Sequence, residues 1–322
     1  MPRLTVVVPA YNESAVLAAF HARLAGVLGQ LTLTSDVLYV DDGSRDDTWA
    51  IMQSLAATDP RVGTLKLSRN FGKEAALTAG LDHVDADAAV VIDADLQDPP
   101  ELIPQLVEQW QAGYDVVYAT RSARAGETGL KRFTAAAFYR TMESLSEVPV
   151  PRDTGDFRLL SRRALNALSQ LRERQRFMKG LFAWIGYRQT AVTYLRDPRV
   201  AGQTKWNYWR LTQLAIEGIT SFSSAPLKLA TWTGLAASVV AFLFGLKVML
   251  KALLHGDPVP GYPSLMVVIL FLGGIQLLAL GVIGEYLGRN YNETKQRPLY
   301  FIEEEHPPTA RTPVHTEATP QR

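Results

Sequence analysis

The sequence contains no cysteine. Disulfides, thiolate nucleophiles and cysteine-ligated zinc or iron–sulfur centres are thereby excluded, although the absence is compatible with any compartment. An excess of charge of one sign is lacking too: 33 Lys and Arg against 32 Asp and Glu leave a formal net charge of +1 over 322 residues. Such a balance exerts no general pull on polyanions, and no nucleic-acid partner is expected. No basic segment leads into an apolar one at the N-terminus. The chain enters the strand-like run Leu4–Val8 almost at once, so no cleavable signal peptide is expected and the first half is expected to stay in the cytoplasm. No internal repeat is present.

What is there divides into unlike halves. Residues 1–200 carry charges throughout, whereas residues 226–289 do not. From Leu229 to Leu246 there are 18 residues without a charge, and from Ser264 to Ile283 there are 20, with Gln276 the only amide. A helix needs about 20 apolar residues to cross a bilayer core, so these runs predict two transmembrane helices, over about 229–253 and 264–286. The alternative is a buried helical hairpin in a soluble protein. Lys247 and Lys251 near the end of the first run can snorkel to the interface. Between the runs lies the breaker-rich turn His255–Pro263, without Lys or Arg after His255, while Arg289, Lys295 and Arg297 follow the second. The positive-inside bias then puts both termini in the cytoplasm and predicts a multi-pass protein of the inner (cytoplasmic) membrane.

The first half alternates apolar β-branched runs with helical patterns. Strands are expected at Leu4–Val8, Val37–Val40, Val62–Leu67, Ala88–Ile92 and Val116–Ala119, the last closing the series. Helices are expected at Tyr11–Gly29 (capped by Asn12 or Ser14), Thr48–Ala57, Lys73–His83 and Glu101–Gln111. This alternation predicts an α/β fold, a mostly parallel sheet flanked by helices, with ligands gathered at the carboxyl ends of the strands. The expected organisation is a catalytic domain over 1–202, juxtamembrane segments over 203–225, the hairpin over 226–289 and a tail over 290–322, disordered from about 306. Within 203–225, Trp206 and Trp209 mix with Lys205 and Arg210, suiting helices that lie along a bilayer surface or, alternatively, an amphipathic helix packed on the soluble domain. Pro298–Ile302 is suited to adding a strand to a neighbouring copy, a route to a homo-oligomer.

The polar clusters fall just after the strands. Val91-Ile92-Asp93-Ala94-Asp95-Leu96-Gln97-Asp98 delivers two acids one residue apart, which along extended backbone point to the same side. Two carboxylates suit Mg²⁺ or Mn²⁺ held jointly with substrate phosphates, although short acidic pairs also occur in solvated loops. Asp41-Asp42-Gly43-Ser44 ends the second strand and reads equally as a turn or as a carboxylate acceptor for a nucleoside. Pro9-Ala10-Tyr11-Asn12-Glu13 supplies a ring and an acid, and Ser68-Arg69-Asn70-Phe71-Gly72-Lys73 supplies cations. Together these are the inventory a nucleotide diphosphate with a metal requires.

These segments, in this order and spacing, resemble family 2 glycosyltransferases of the GT-A fold. The resemblance continues through Asp153-Thr154-Gly155-Asp156-Phe157-Arg158-Leu159, Arg176-Phe177-Met178-Lys179-Gly180 and Arg199-Val200-Ala201-Gly202-Gln203-Thr204-Lys205-Trp206. It points to the polyprenyl-phosphate branch, typified by bactoprenol glucosyltransferases and dolichol-phosphate mannose synthases. The resemblance implies that Asp95 and Gln97 ligate the metal with Asp93 close to the sugar-nucleotide, and that Asp156 is the base or acceptor-orienting acid. It implies a nucleotide-sugar site formed by Pro9, Ala10, Tyr11, Asn12, Glu13, Asp41, Asp42 and Gly43 with Asn70, Lys73, Asp93 and Ala94. Arg121, Lys131, Arg132, Arg199 and Lys205 are implied to hold phosphates of donor or acceptor.

The expected activity is inverting transfer from a nucleotide-sugar, a uridine one by resemblance, to polyprenyl phosphate at the cytoplasmic face. A processive polysaccharide synthase typically carries Gln-x-x-Arg-Trp, and here Gln175-Arg176-Phe177 lacks the tryptophan. A catalytically inactive membrane-binding module is the other alternative, against which the intact acidic set stands.

Overall fold

The structure, a computed structural model, describes residues 2–121, 154–174, 176, 178–194, 225–255 and 261–310. The described residues up to Tyr194, together with those from Arg297 onward, form one compact unit; those from Ala225 to Gln296 form a second.

The first unit is built as β1 (Arg3–Ala10), α1 (Leu17–Leu28), β2 (Thr34–Asp41), α2 (Thr48–Thr58), β3 (Val62–Leu67), α3 (Lys73–Asp82) and β4 (Ala88–Val91). A 3₁₀ turn at Pro100–Leu102 leads into α4 (Ile103–Gln111), then β5 (Val116–Arg121), β6 (Thr154–Ser161), α5 (Arg162–Leu168), α6 (Met178–Trp184) and β7 (Gln189–Tyr194). After the second unit the chain returns as β8 (Ile302–His306). Among the described residues these strands make one eight-stranded sheet in the order β7-β5-β6-β4-β1-β2-β3-β8. β4, β1, β2 and β3 run parallel to one another, as β5 and β7 do, while β6 and β8 enter antiparallel to their neighbours.

The central strands are covered on both faces, which is why they read as continuous apolar runs. Leu4, Val6 and Val8 point into a core with Phe20 and Leu24 of α1 and Ile103 and Leu106 of α4. Val7 points the other way, against α3, which lies so close that a Cβ on Gly80 would strike the side chains of Val7 and Val40. Each fully buried aliphatic side chain contributes about 1.5–3 kcal/mol, so this strand alone is a large part of the domain's cohesion.

Several expectations need correction. Val116–Ala119 does not close the sheet; β6, β7 and β8 follow, drawn from segments whose pairing partners lie far away in sequence. The first helix begins at Leu17 with Val16 as N-cap, and neither Asn12 nor Ser14 caps it. Asn12 instead adopts φ +55° and ties two loops together: its N–H donates to Ser44 Oγ at 3.0 Å, and Arg45 N–H donates to its Oδ1 at 2.9 Å. The segment expected to reach a neighbouring copy continues into β8 and pairs with this chain's own β3. Within 307–310, where disorder was expected, Pro308 packs against Gly63 and Ala310 N–H donates to Pro60 O at 2.9 Å, and the rest of that tail, 311–322, lies outside the described residues. The expected juxtamembrane segment lies mostly outside the described residues.

The second unit holds two long helices, α7 (Ala225–His255) and α8 (Tyr262–Thr294). Both are long and apolar enough to cross a membrane by length and composition.

One buried group in the first unit gives a pH test. His21 Nδ1 lies 3.0 Å from the Tyr39 hydroxyl, and its Nε2 is 3.7 Å from Asp59, which Arg61 pairs at 2.6 Å. Burial pulls the imidazole below its ordinary range against the attraction of Asp59, and Arg61 adds to the lowering. The unfolded chain therefore takes up a proton near pH 6.5, before the folded one does, and stability falls as pH drops below that value. Thermal melts should show a smaller loss between about pH 7.5 and pH 5 in His21→Gln than in the wild type; equal losses would contradict this origin.

Candidate active site

Because β4, β1, β2 and β3 run the same way, the residues after Val91, Ala10, Asp41 and Leu67 emerge along one edge of the sheet. β6 enters at that edge from the opposite direction, with Arg158 opposite Val91. Continuing the register sets Asp93 across from Asp156. Two carboxylates so placed repel, and a cation is needed between them. Lys73, the first residue of α3, supplies it: Nζ lies 2.7 Å from Asp93 Oδ2 and 2.5 Å from Asp156 Oδ2.

The surroundings tune this triad unequally. Burial raises Asp93 above the usual carboxylate range, countered by Lys73, and the facing Asp156 raises it further. Asp156 is also buried, yet Lys73, Lys179 and Arg158 together hold it below that range. Lys73 stays protonated, since the two carboxylates outweigh the desolvation that opposes its charge. Glu74, next along the helix, is pushed up to about 7, first by burial and then by the charge of Asp156. Arg158 is brought down to about 10 by burial; it lies 3.9 Å over the Phe182 ring and donates to Gly155 O at 2.8 Å.

Asp95 sits in a tight turn in which Leu96 adopts φ +57°. Gln97 N–H donates to Asp95 Oδ1 at 3.1 Å, leaving Oδ2 of that carboxylate for another partner. Gln97 itself is buried, its amide nitrogen without a hydrogen-bond partner among the described residues. Asp98, beneath the same turn, accepts a short hydrogen bond from the Tyr194 hydroxyl at the end of β7. No cluster of three His, Asp or Glu suited to a metal occurs among the described residues. Two half-buried carboxylates at a strand end nonetheless fit Mg²⁺ or Mn²⁺, which bind through one or two carboxylates with substrate phosphate and water.

The other expected residues distribute themselves around this centre. Tyr11 stands exposed just past β1, and Asn70 is exposed in the loop after β3. Pro9 and Ala10 are the last residues of β1, paired with Val40 and Asp41. Glu13 N–H donates to Thr48 Oγ1 at 2.9 Å. Asp41 and Asp42 are buried and committed to backbone. Asp41 accepts from Ser44 N–H at 3.2 Å, and Asp42 accepts from Phe71 N–H at 2.7 Å and Gly72 N–H at 3.0 Å. Burial raises both acids despite these bonds. Gly43, at φ +67°, lets the Asp42 turn meet the next loop: a Cβ there would stand 2.5 Å from the Arg69 carbonyl carbon. Ala94, between Asp93 and Asp95 in the sequence, is buried. Arg121 is the last residue of β5. Lys131, Arg132, Arg199 and Lys205 lie outside the described residues.

Sequence reasoning assigned no role to Arg158, Lys179 or Glu74. Arg158 was findable, because it alternates with Asp156 along a strand and so shares its face. Lys179 and Glu74 become visible only when α6 and α3 are placed.

A model of glycosyl transferase family 2 matches residues 5–169, and one of the GtrB C-terminal hairpin matches residues 225–289. An uncharacterized glycosyltransferase of Synechocystis sp. is 52% identical over 93% of this chain and 94% of its own length. The prophage bactoprenol glucosyl transferase homolog of Escherichia coli is 46% identical over 93% of this chain and 98% of its own. The bactoprenol glucosyl transferase of Shigella phage SfII is 46% identical over 94% and 98%. Among solved structures, glucosyl-3-phosphoglycerate synthase from Mycobacterium tuberculosis overlays with a TM-score of 0.45 and 20% identity over 68% of this chain and 79% of that one, too distant to bear on substrate. With the acidic strand ends within the matched domain and the matching hairpin following it in the sequence, this chain belongs to glycosyltransferase family 2.

Proposed function

We propose that the enzyme transfers a hexose from a uridine nucleotide-sugar to polyprenyl phosphate, with inversion, at the cytoplasmic face of the membrane. The observation that carries this reading is the Lys73–Asp93–Asp156 cluster at the strand ends of a chain that also has two membrane-length helices. A long isoprenoid leaves the bilayer only at great cost in exposed apolar surface, so an enzyme acting on its phosphate must be held at the membrane. The near-full-length similarity to bactoprenol glucosyl transferases supports the same acceptor. The absence of Lys and Arg from Gly256–Pro263, against Arg289, Lys295 and Arg297 after the second helix, supports a cytoplasmic catalytic domain.

In this reading a phosphate oxygen of the lipid attacks the anomeric carbon, and the bond to the nucleotide diphosphate breaks with its electron pair leaving on the diphosphate. A phosphate monoester has a second pKa of about 6, so the nucleophile is largely ionised at neutral pH and needs no strong base. Asp156, held as the anion, positions the acceptor. Lys73, Lys179 and Arg158 offset the repulsion between Asp156 and two anionic substrates. Asp95 and Asp93, with Gln97 close by, would hold a divalent cation, which would supply positive charge for the departing diphosphate. Tyr11, Asn12, Glu13 and Asn70 border the nucleotide, while Asp41, Asp42 and Gly43 shape the floor below it.

Purified full-length protein given short-chain polyprenyl phosphate and a panel of radiolabelled nucleotide-sugars, with and without Mn²⁺, tests the proposal. One labelled glycolipid, formed only with metal, is the expected result and names the donor. Nucleotide binding without product from any donor would move the reading to another acceptor.

A further inference from the structure

α8 ends at Thr294, and the chain turns through Gln296, at φ +47°, and Pro298. From Arg297 it belongs to the first unit again, and it reaches Tyr300 six residues beyond Thr294. What it touches there is not an arbitrary stretch of surface. Phe301 O accepts from Ser68 N–H at 2.9 Å, and the Phe301 ring lies 6.3 Å from that of Phe71. The Tyr300 hydroxyl donates to Asp82 Oδ2 at 2.8 Å, and its ring meets the edge of His83. Residues 300 and 301 thus hold both ends of one segment, the loop from Ser68 and the helix that closes at Asp82. Lys73 is carried inside that segment.

The loop is gripped from one side by the Asp42 carboxylate on the N–H groups of Phe71 and Gly72, and from the other by Phe301. Arg69 lies 4.0 Å over the Phe71 ring, completing a stack on the loop's outer face. A large apolar side chain that stays 56% exposed is poorly accounted for by burial alone, and Phe301 is such a residue. The next residues pair as β8, with Lys66 bridging Glu303 at 3.0 Å and Glu304 at 3.5 Å, and His306 stacking on Trp49.

We infer that Tyr300 and Phe301 form a positioning strap, which continues from the second membrane-length helix and fixes the 68–82 segment so that Lys73 is delivered between Asp93 and Asp156. The inference rests on the role proposed for Lys73. It makes the segment that follows the hairpin in the sequence part of the active site's framework. A chain cut before residue 225 would lose β8 along with the helices, so loss of activity in it would not report on anchoring alone.

The test keeps the full chain in detergent or nanodiscs and compares Phe301→Ala, Phe301→Tyr, Tyr300→Phe and Glu303→Gln. Hydrogen–deuterium exchange over residues 68–82 should rise in Phe301→Ala and stay close to wild type in Phe301→Tyr. Transfer from UDP-glucose to undecaprenyl phosphate should lose roughly tenfold in kcat in Phe301→Ala, with KM less affected, because a small misplacement of a charged group is costly in turnover. Phe301→Tyr should restore it, Tyr300→Phe should show a smaller loss, and Glu303→Gln, whose partner Lys66 lies on β3 outside the 68–82 segment, should match wild type. Unchanged exchange over 68–82 in Phe301→Ala would overturn the strap, as would a kcat loss in Glu303→Gln equal to that in Phe301→Ala. The exchange measurement needs no substrate, so it decides the strap even if the wild type proves inactive with this donor and acceptor, a result that would count against the proposed function alone.

Discussion

Lys73→Met is expected to lower transfer by roughly a hundredfold or more, with little change in melting temperature, a magnitude typical of losing one preorganised charge from an active site. The register of β4 against β6 leaves Asp93 and Asp156 facing each other, and Nζ is within 2.7 Å of both carboxylates. Methionine fills the same volume without the charge, so one of the acids must take up a proton or swing away. The Lys73 side chain is 46% exposed, so water can reach the two carboxylates once Nζ is gone, and its loss should fall on turnover more than on folding. Asp156→Asn should cost a comparable factor. Since the two act as a unit, Lys73→Met/Asp156→Asn should be little worse than either single variant. Kinetics on the four proteins in that cycle give the coupling directly. Fully multiplicative losses would show that Lys73 serves the donor independently of Asp156, and near-normal turnover in Asp156→Asn would remove the positioning role.

The cycle also marks where the sequence stopped being informative. β1 to β4 were legible because each is an apolar run ending in polar residues, and runs buried on two faces look alike in any parallel sheet. Asp93 and Asp95 stood out by position just beyond a strand, whereas Lys73 was assigned to the nucleotide-sugar by resemblance and its place between Asp93 and Asp156 was not legible. Nothing in Thr154–Ser161 announces that it will pair antiparallel with β4 after a long excursion, and that pairing is what sets Asp156 opposite Asp93. β8 is harder still: its partner β3 lies more than 200 residues earlier, and its four polar side chains, Glu303 to His306, carry no core signal. Asp41 and Asp42 show a different limit. Their spacing fits a ligand site and a braced turn equally well, and only the positions of Ser44, Phe71 and Gly72 reveal that both carboxylates are engaged by backbone.

Asp95→Ala is expected to abolish metal-dependent transfer, a loss of roughly a hundred- to a thousandfold, and added Mn²⁺ should not restore it. In the wild type, chelation should produce the same loss and Mn²⁺ should reverse it. The structure gives this prediction a sharper form. Asp93 already shares its charge with Lys73, and Asp95 has one oxygen engaged by the Gln97 N–H, so the protein offers a cation few free oxygens. A site of one or two carboxylates is completed by substrate phosphate and water. Mn²⁺ affinity should therefore rise strongly when UDP is added, and by linkage UDP should bind more tightly in Mn²⁺ by the same factor. Electron paramagnetic resonance titration of free Mn²⁺, with and without UDP, reads this coupling without requiring turnover. Tight Mn²⁺ binding that is indifferent to UDP would mean the cation is held by ligands other than this pair. Binding that depends on UDP yet survives Asp95→Ala would transfer the ligand role to Asp93, and with it the question of where Lys73 goes when the cation arrives.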